Sequence, residues 1–186
     1  MAFVDWTLTA TGYQTVTGEF VSGPQCVEAT PSHLEMWRTQ VADQRRDKSI
    51  SAWVRFVNNT SYVAFRMRVA AALDAYYEVR FQRQGADTLR TEIYSKLAAG
   101  SPVLLDQVDS AALIDDTTFF YLQARVFDFG VGDARVETYF STDAITLVPQ
   151  ATFTETPNIE LDNVGNWGIL LQDGLRMDDV LLQEVT

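Results

Sequence analysis

Ile50-Ser-Ala-Trp-Val-Arg-Phe-Val57, a turn at Asn58-Asn59-Thr60, then Tyr62-Val-Ala-Phe-Arg-Met-Arg-Val69: this stretch decides the fold class. In its first run Ile50, Ala52, Val54 and Phe56 fall on one face, and Ser51, Trp53, Arg55 and Val57 on the other. In the second, Val63, Phe65, Met67 and Val69 oppose Tyr62, Ala64, Arg66 and Arg68. A period of two is the signature of a half-buried strand, because successive side chains in extended backbone point to opposite faces. Both runs therefore read as half-buried strands of antiparallel sheet, separated by a short polar turn.

Outward from this stretch the same pattern recurs. Tyr77, Val79 and Phe81 alternate with Tyr76, Glu78, Arg80 and Gln82, and Thr88–Tyr94 and Arg135–Phe140 repeat the alternation. Turn chemistry separates the runs at Ser22-Gly-Pro24, Gln84-Gly-Ala86, Gly130-Val-Gly-Asp133, Asn163-Val-Gly-Asn166 and Gln172-Asp-Gly174. Helix signals are scarce. Pro31–Val41 carries Ser32 with Glu35 three residues on, a capping-box pattern that predicts a turn or more of helix. Ser110–Asp116 predicts a short turn. About a dozen strands without a Ser/Gly linker, heptad or repeat predict one domain over residues 1–186, folded as two stacked antiparallel sheets because large open sheets curl or split.

Composition bounds the chemistry. Of 186 residues 47% are hydrophobic and 21% charged, an ordinary globular balance. No apolar run reaches the roughly 18 residues of a membrane span, and Met-Ala-Phe-Val-Asp-Trp at the start has no basic or apolar leader region, so neither a membrane nor a secretory route is expected. A net charge of −11 argues against nucleic acid as a partner, since phosphate recognition needs a positive footprint. Cys26 is the one cysteine and His33 the one histidine, which leaves no zinc set and makes a Ser-His or Cys-His nucleophile depend on a single loop-like His. Only Lys48 and Lys96 among 14 basic residues are lysines; arginine is the usual cation of interfaces, so the choice fits a surface covered by partners and equally fits composition bias.

Toward the C-terminus the text reads Thr118-Phe-Phe-Tyr-Leu-Gln-Ala-Arg-Val-Phe127, a Gly-Val-Gly-Asp turn, Ala134-Arg-Val-Glu-Thr-Tyr-Phe140, Gly165-Asn-Trp-Gly-Ile-Leu170 and Gly174-Leu-Arg-Met-Asp-Asp-Val-Leu-Leu182. This order of motifs resembles the concanavalin A-like, laminin-G-like jelly rolls, including those of bacteriophage virion surface proteins. The resemblance implies an all-β, two-sheet jelly-roll sandwich with at most one or two short helices, and an N-terminal strand (Phe3–Leu8 or Tyr13–Val21) pairing near the last one. The resemblance extends to glucanases, which share this fold and whose catalytic strand reads Glu-x-Asp-x-Glu, or the same with one extra residue. The nearest text is Ile159-Glu160-Leu-Asp162-Asn-Val164-Gly165, where the second Glu is replaced by Val164 or Gly165; glycoside hydrolysis needs both carboxylates.

Asp178-Asp179 on the closing strand point to opposite faces, Asp178 with Val180 and Leu182, Asp179 with Met177 and Leu181, and so cannot chelate one ion jointly. A structural calcium would need about six oxygens from several loops. No catalytic set, metal site or cofactor is therefore predicted. The outward residues carry the functional expectation: Trp53, Arg55, Tyr76, Arg80, Tyr94, Arg125 and Tyr139 form the predicted binding face, joined by Tyr62, Arg66, Arg68, Glu78, Arg90, Glu92, Arg135 and Glu137. Tyr, Trp and Arg are enriched at interface cores and also stack on sugars, while cross-strand Arg–Glu and Tyr–Arg pairs equally serve plain sheet stability. The expectation is a non-enzymatic structural protein of a bacteriophage virion, a capsid decoration or tail surface component made in the host cytoplasm, contacting other virion proteins or copies of itself. The alternatives are a glycan-binding module for host attachment and an atypical glycoside hydrolase.

Overall fold

The computed structural model describes residues 7–8, 13–17, 21, 25–30, 33–38, 47–85, 87–130, 132–155, 161, 166–172 and 174–185. In chain order its strands are β1 (Thr7–Leu8), β2 (Tyr13–Thr17), β3 (Gln25–Ala29), β4 (His33–Arg38), β5 (Lys48–Arg55), β6 (Tyr62–Val69) and β7 (Tyr76–Arg83). The second half supplies β8 (Thr88–Lys96), β9 (Val103–Leu113), β10 (Phe120–Asp128), β11 (Ala134–Ser141), β12 (Val148–Glu155), β13 (Asn166–Gln172) and β14 (Arg176–Glu184). They form two seven-stranded sheets, ordered β1-β4-β13-β6-β7-β8-β9 and β12-β11-β10-β5-β14-β3-β2. Among the described residues all pairings are antiparallel and there is no helix. The protein is an all-β, two-sheet, jelly-roll-like sandwich.

The alternation read from the sequence builds the core. Val63, Phe65, Met67, Tyr77, Val79 and Phe81 of the first sheet meet Ile50, Ala52, Val54, Leu122, Ala124 and Val126 of the second in one buried cluster. Each Val, Ile, Leu, Phe or Met side chain so removed from water contributes roughly 1.5–3 kcal/mol. The N-terminal expectation is adjusted. It is β3, between the two candidate segments' positions and the first sheet's β4, that pairs with the closing strand β14, while β2 lies one strand further out and β1 joins the other sheet.

Two local readings are corrected. Residues 33–38, inside the expected helix, are a strand. Leu34 and Met36 are buried in the core while Glu35 and Trp37 face outward, and pairing with both β1 and β13 outweighs the local capping pattern. The turn expected over Ser110–Asp116 begins only after β9 ends at Leu113. It is then closed by Asp115, whose side chain accepts hydrogen bonds from the amides and hydroxyls of Thr117 and Thr118. Burial alone would raise the Asp115 carboxyl, but those bonds lower it to about 2.

The third correction concerns Arg68 and Val69. Along β6 the register to β13 slips between Arg66 and Val69, opposite Asn166–Gly168, and Arg68 takes a left-handed φ of 49°. This β-bulge inverts the alternation beyond it. Val69 joins Trp37 and Tyr76 in a separate outer cluster. Arg68, expected outside, turns inward with 0% exposure and pairs with Asp128 (2.7 Å), at the end of β10 in the opposite sheet, and with Asp47 (3.3 Å), just ahead of β5. Tyr77, also wholly buried, makes a second polar tie by donating to Glu155 at 2.8 Å.

Gly168 explains why the outer face beside the bulge is so closely covered. It pairs with Trp37 on one side and Arg66 on the other, and a Cβ placed on it would sit 2.4 Å from the Trp37 ring. The missing side chain lets the indole lie across the strand, an aromatic cover for a strand glycine. Gly168→Ala should therefore cost about 1–3 kcal/mol by overpacking, read as a lower denaturant midpoint with an unchanged slope. An unaltered midpoint would show that Trp37 can move aside freely.

Candidate functional site

The seven residues of the predicted face do not share one face. Tyr76, Arg80 and Tyr94 lie on the outer side of the first sheet, on β7 and β8. Trp53, Arg55, Arg125 and Tyr139 lie on the outer side of the second, on β5, β10 and β11. The core separates the two groups.

On the first sheet the charges and rings are committed to one another. Glu78, 1% exposed, accepts from Arg66 Nε and Arg80 Nε, both at 2.6 Å, and Arg66 Nη1 reaches Glu35 at 2.7 Å. The Arg66 guanidinium lies over Trp37 (5.2 Å) and Tyr76 (4.8 Å), and that of Arg80 lies between Tyr62 (4.8 Å) and Tyr94 (4.3 Å). Tyr94 Oη donates to Glu92, and Arg90 holds Asp109 with two hydrogen bonds. Burial works against the charge on Arg66 and Arg80, yet the Glu78 carboxylate between them raises both. Burial likewise pushes the phenols of Tyr62 and Tyr76 up. Such a ladder ties neighbouring strands; with its hydrogen-bonding capacity turned inward, it has little left for a ligand.

The second sheet has two distinct regions. Toward its β12 edge, Glu137 accepts from Arg125 Nε at 2.6 Å and from Tyr139 Oη at 2.6 Å, and pairs with Arg135 at 2.7 Å. Burial would raise the Glu137 carboxyl, but the bonds from Tyr139 and Arg125 hold it below its ordinary value. Arg55 donates to the Asp116 carbonyl at 2.7 Å, anchoring the β9–β10 loop. This cluster, too, is largely internally paired.

The other region is open. Trp53 and Tyr121 are direct cross-strand partners, their rings edge-to-face with centroids 5.6 Å apart. With Ala144, Asp179, Val180 and Leu181 they line a cleft of about 390 Å³. Three features of the chain shape it. The β5–β10 register sets the two rings side by side. Asp143 accepts from Ser141 Oγ and from the amides of Ile145 and Thr146, folding the β11–β12 loop so that Ala144, at φ 60°, borders the cleft. The third is a bulge in β14 between Asp178 and Leu181, where Asp179 takes φ 49°.

That bulge corrects the reading of the Asp178-Asp179 pair. Asp178 lies opposite Trp53, not on the face of Leu182, and is wholly buried. Its carboxylate accepts from the amides of Val21 (2.9 Å) and Asp179 (2.8 Å), the backbone-bonding role open to a strand aspartate. The extra residue turns Asp179 into the cleft. Among the described residues the Asp179 carboxylate has no hydrogen bond or ion pair within the chain. Glu160 and Asp162 lie outside the described residues, as does the side chain of His33. Cys26 is buried, and burial, with Asp178 and Glu28 nearby, raises its thiol, the setting of an unreactive cysteine.

Of the six residues lining the cleft the sequence pointed to Trp53 and not to Tyr121, Ala144, Asp179, Val180 or Leu181. Tyr121 was within reach, because it shares the outward alternation of Gln123 and Arg125. Asp179 was not, because only the bulge aims it.

No protein-family model matches the chain, and no curated protein sequence matches it. Solved structures do. The carbohydrate binding module CBM66 from Bacillus subtilis superposes with a TM-score of 0.60 at 12% identity, over 95% of this chain and 98% of that one. Tailspike protein 2 of bacteriophage CBA120 gives 0.60 at 7% identity over 98% of this chain, which spans 29% of the tailspike chain. The PL-14 alginate lyase from Aplysia kurodai gives 0.58 at 8% identity, over 94% and 87% of the two chains. The shared feature is the sandwich. At such identities the likeness is one of fold alone.

Proposed function

We propose that this protein is a non-enzymatic glycan-binding sandwich that holds a sugar unit in the Trp53/Tyr121 cleft. The observation that carries this reading is the pairing of two aromatic rings with one uncommitted carboxylate, Asp179, in a concave site on a sheet face otherwise closed by internal pairs. Aromatic faces take the C–H faces of sugar rings, and a carboxylate accepts hydroxyl hydrogen bonds; few but convergent polar groups in an apolar cleft are the usual make-up of a small-molecule site. The likeness in fold to a carbohydrate binding module fits it. Hydrolysis is disfavoured because Asp178, the adjacent carboxylate, is buried and bonded to backbone amides, and the inverting and retaining mechanisms both need a second carboxyl facing the bond. Affinity gel electrophoresis against a panel of soluble polysaccharides tests the reading. Retardation by at least one, without release of new reducing ends, is expected. No retardation by any, or catalysed release, would overturn it.

A second reading, a bacteriophage virion surface component working through protein contacts, is supported by the tailspike likeness and by exposed Ile145 (85%), Val103 (59%) and Val148 (48%). Light scattering on a sizing column separates the two. A closed oligomer that binds no polysaccharide would favour it over the cleft.

A further inference from the structure

Resting on the glycan-binding reading, we infer that the cleft selects neutral glycans over uronate or sulfated ones, with Asp179 as the acceptor for a pair of sugar hydroxyls. The inference comes from which groups around the rings are still free. Arg55 is bonded to the Asp116 carbonyl, and Arg125 to Glu137. Among the described residues no basic side chain lines the cleft, and the one charged residue that does is Asp179. Asp143, beside Ala144, is exposed and held ionised by the bonds from Thr146 and Ile145 that lower its carboxyl.

A uronate or sulfate entering there would meet a like charge with no cation lining the cleft to neutralise it. The field of the whole chain, at a net −11, acts in the same direction on any polyanion. A neutral sugar meets the opposite situation. Its hydroxyls donate to a carboxylate that gives up no intramolecular bond on binding, and charge-assisted bonds of this kind are stronger than neutral ones. The remaining walls, Ala144, Val180 and Leu181, offer apolar surface to the sugar ring.

The geometry of Asp179 supports a positioning demand at this residue. Its φ of 49° lies in the left-handed region, which Asp, Asn and Gly enter most readily. Asn therefore preserves the bulge while removing the charge.

The test is affinity electrophoresis of the wild-type protein and Asp179→Asn against neutral polysaccharides (glucans, mannans, fructans) and against alginate, polygalacturonate and a sulfated galactan. Thermal melting monitors folding. We expect wild-type retardation by a neutral polymer only, and in Asp179→Asn a dissociation constant weakened about tenfold or more at unchanged melting temperature, the scale of one charge-assisted hydrogen bond. If Asp179→Asn melts early, Asp179→Gly, which accepts the same backbone angle, replaces it. Retardation by a uronate or sulfated polymer equal to or stronger than that by any neutral one would overturn the inference and leave the glycan-binding reading standing. Neutral binding unaffected in the Asn variant would do the same. No retardation by any polymer would remove both.

Discussion

Trp53→Ala should abolish detectable polysaccharide retardation, weakening binding by at least about thirtyfold, while the protein stays folded. Trp53 supplies one of the two rings lining the cleft, and its partner Tyr121 is oriented by the edge-to-face contact between them. Truncation removes the larger wall and frees the smaller. Central aromatic anchors typically cost about 2 kcal/mol or more when cut to alanine, which is that thirtyfold. The fold is less affected. Trp53 faces outward and half-buried on β5, whose core contacts are made by Ile50, Ala52 and Val54, so the loss in stability is the aromatic pair itself, about 0.5–1.5 kcal/mol. Trp53→Phe should keep part of the affinity. Titration by isothermal calorimetry with the best-binding polymer reads both; wild-type affinity in Trp53→Ala would move the site away from this cleft.

Arg68→Ala should lower stability by about 3 kcal/mol, or roughly 6–12 °C in melting temperature for a chain of this size. The guanidinium is wholly buried and ties β6 of one sheet to Asp128 at the end of β10 and Asp47 ahead of β5 in the other. Removing one partner of a buried ion pair typically costs 3–5 kcal/mol. Here the low end applies, because Asp47 and Asp128 are 40% and 43% exposed and can rehydrate. Arg68→Lys should not rescue fully, since both contacts come from the one terminal Nη2, and an ammonium is more strongly hydrated than a guanidinium and so costs more to bury. Arg68→Met should recover the packing part alone. Urea unfolding of the three variants separates these contributions. A loss under about 1 kcal/mol in Arg68→Ala would mean that the two sheets are held by their apolar contacts without this tie.

The same residue shows where the sequence was and was not enough. Along β7 the alternation of Tyr77, Val79 and Phe81 with Tyr76, Glu78 and Arg80 predicted inside and outside correctly, because the pleat imposes period two on any regular strand. Along β6 and β14 it failed after one extra residue. Arg68 went in, Val69 went out, and Asp178 changed face. A bulge is a property of a strand against its neighbour, and nothing in Arg66-Met67-Arg68 or Asp178-Asp179 alone announces it. The Ser32/Glu35 capping pattern was overridden in the same manner, by strands on both sides of residues 33–38.

By itself, then, the order of residues determined an all-β chain, the strand runs that build its two sheets, most of the core, and a surface rich in Tyr, Trp and Arg; these follow from local geometry, where each side chain's face depends on its own strand. Only the tertiary structure decided which outward residues stand together. It placed Tyr76, Arg80 and Tyr94 on one side of the sandwich and Trp53, Arg55, Arg125 and Tyr139 on the other. It then set Tyr121 beside Trp53 and turned Asp179 toward them. Sheet membership and bulges arise from pairing between segments far apart in the chain, and those pairings leave no periodic trace in either partner.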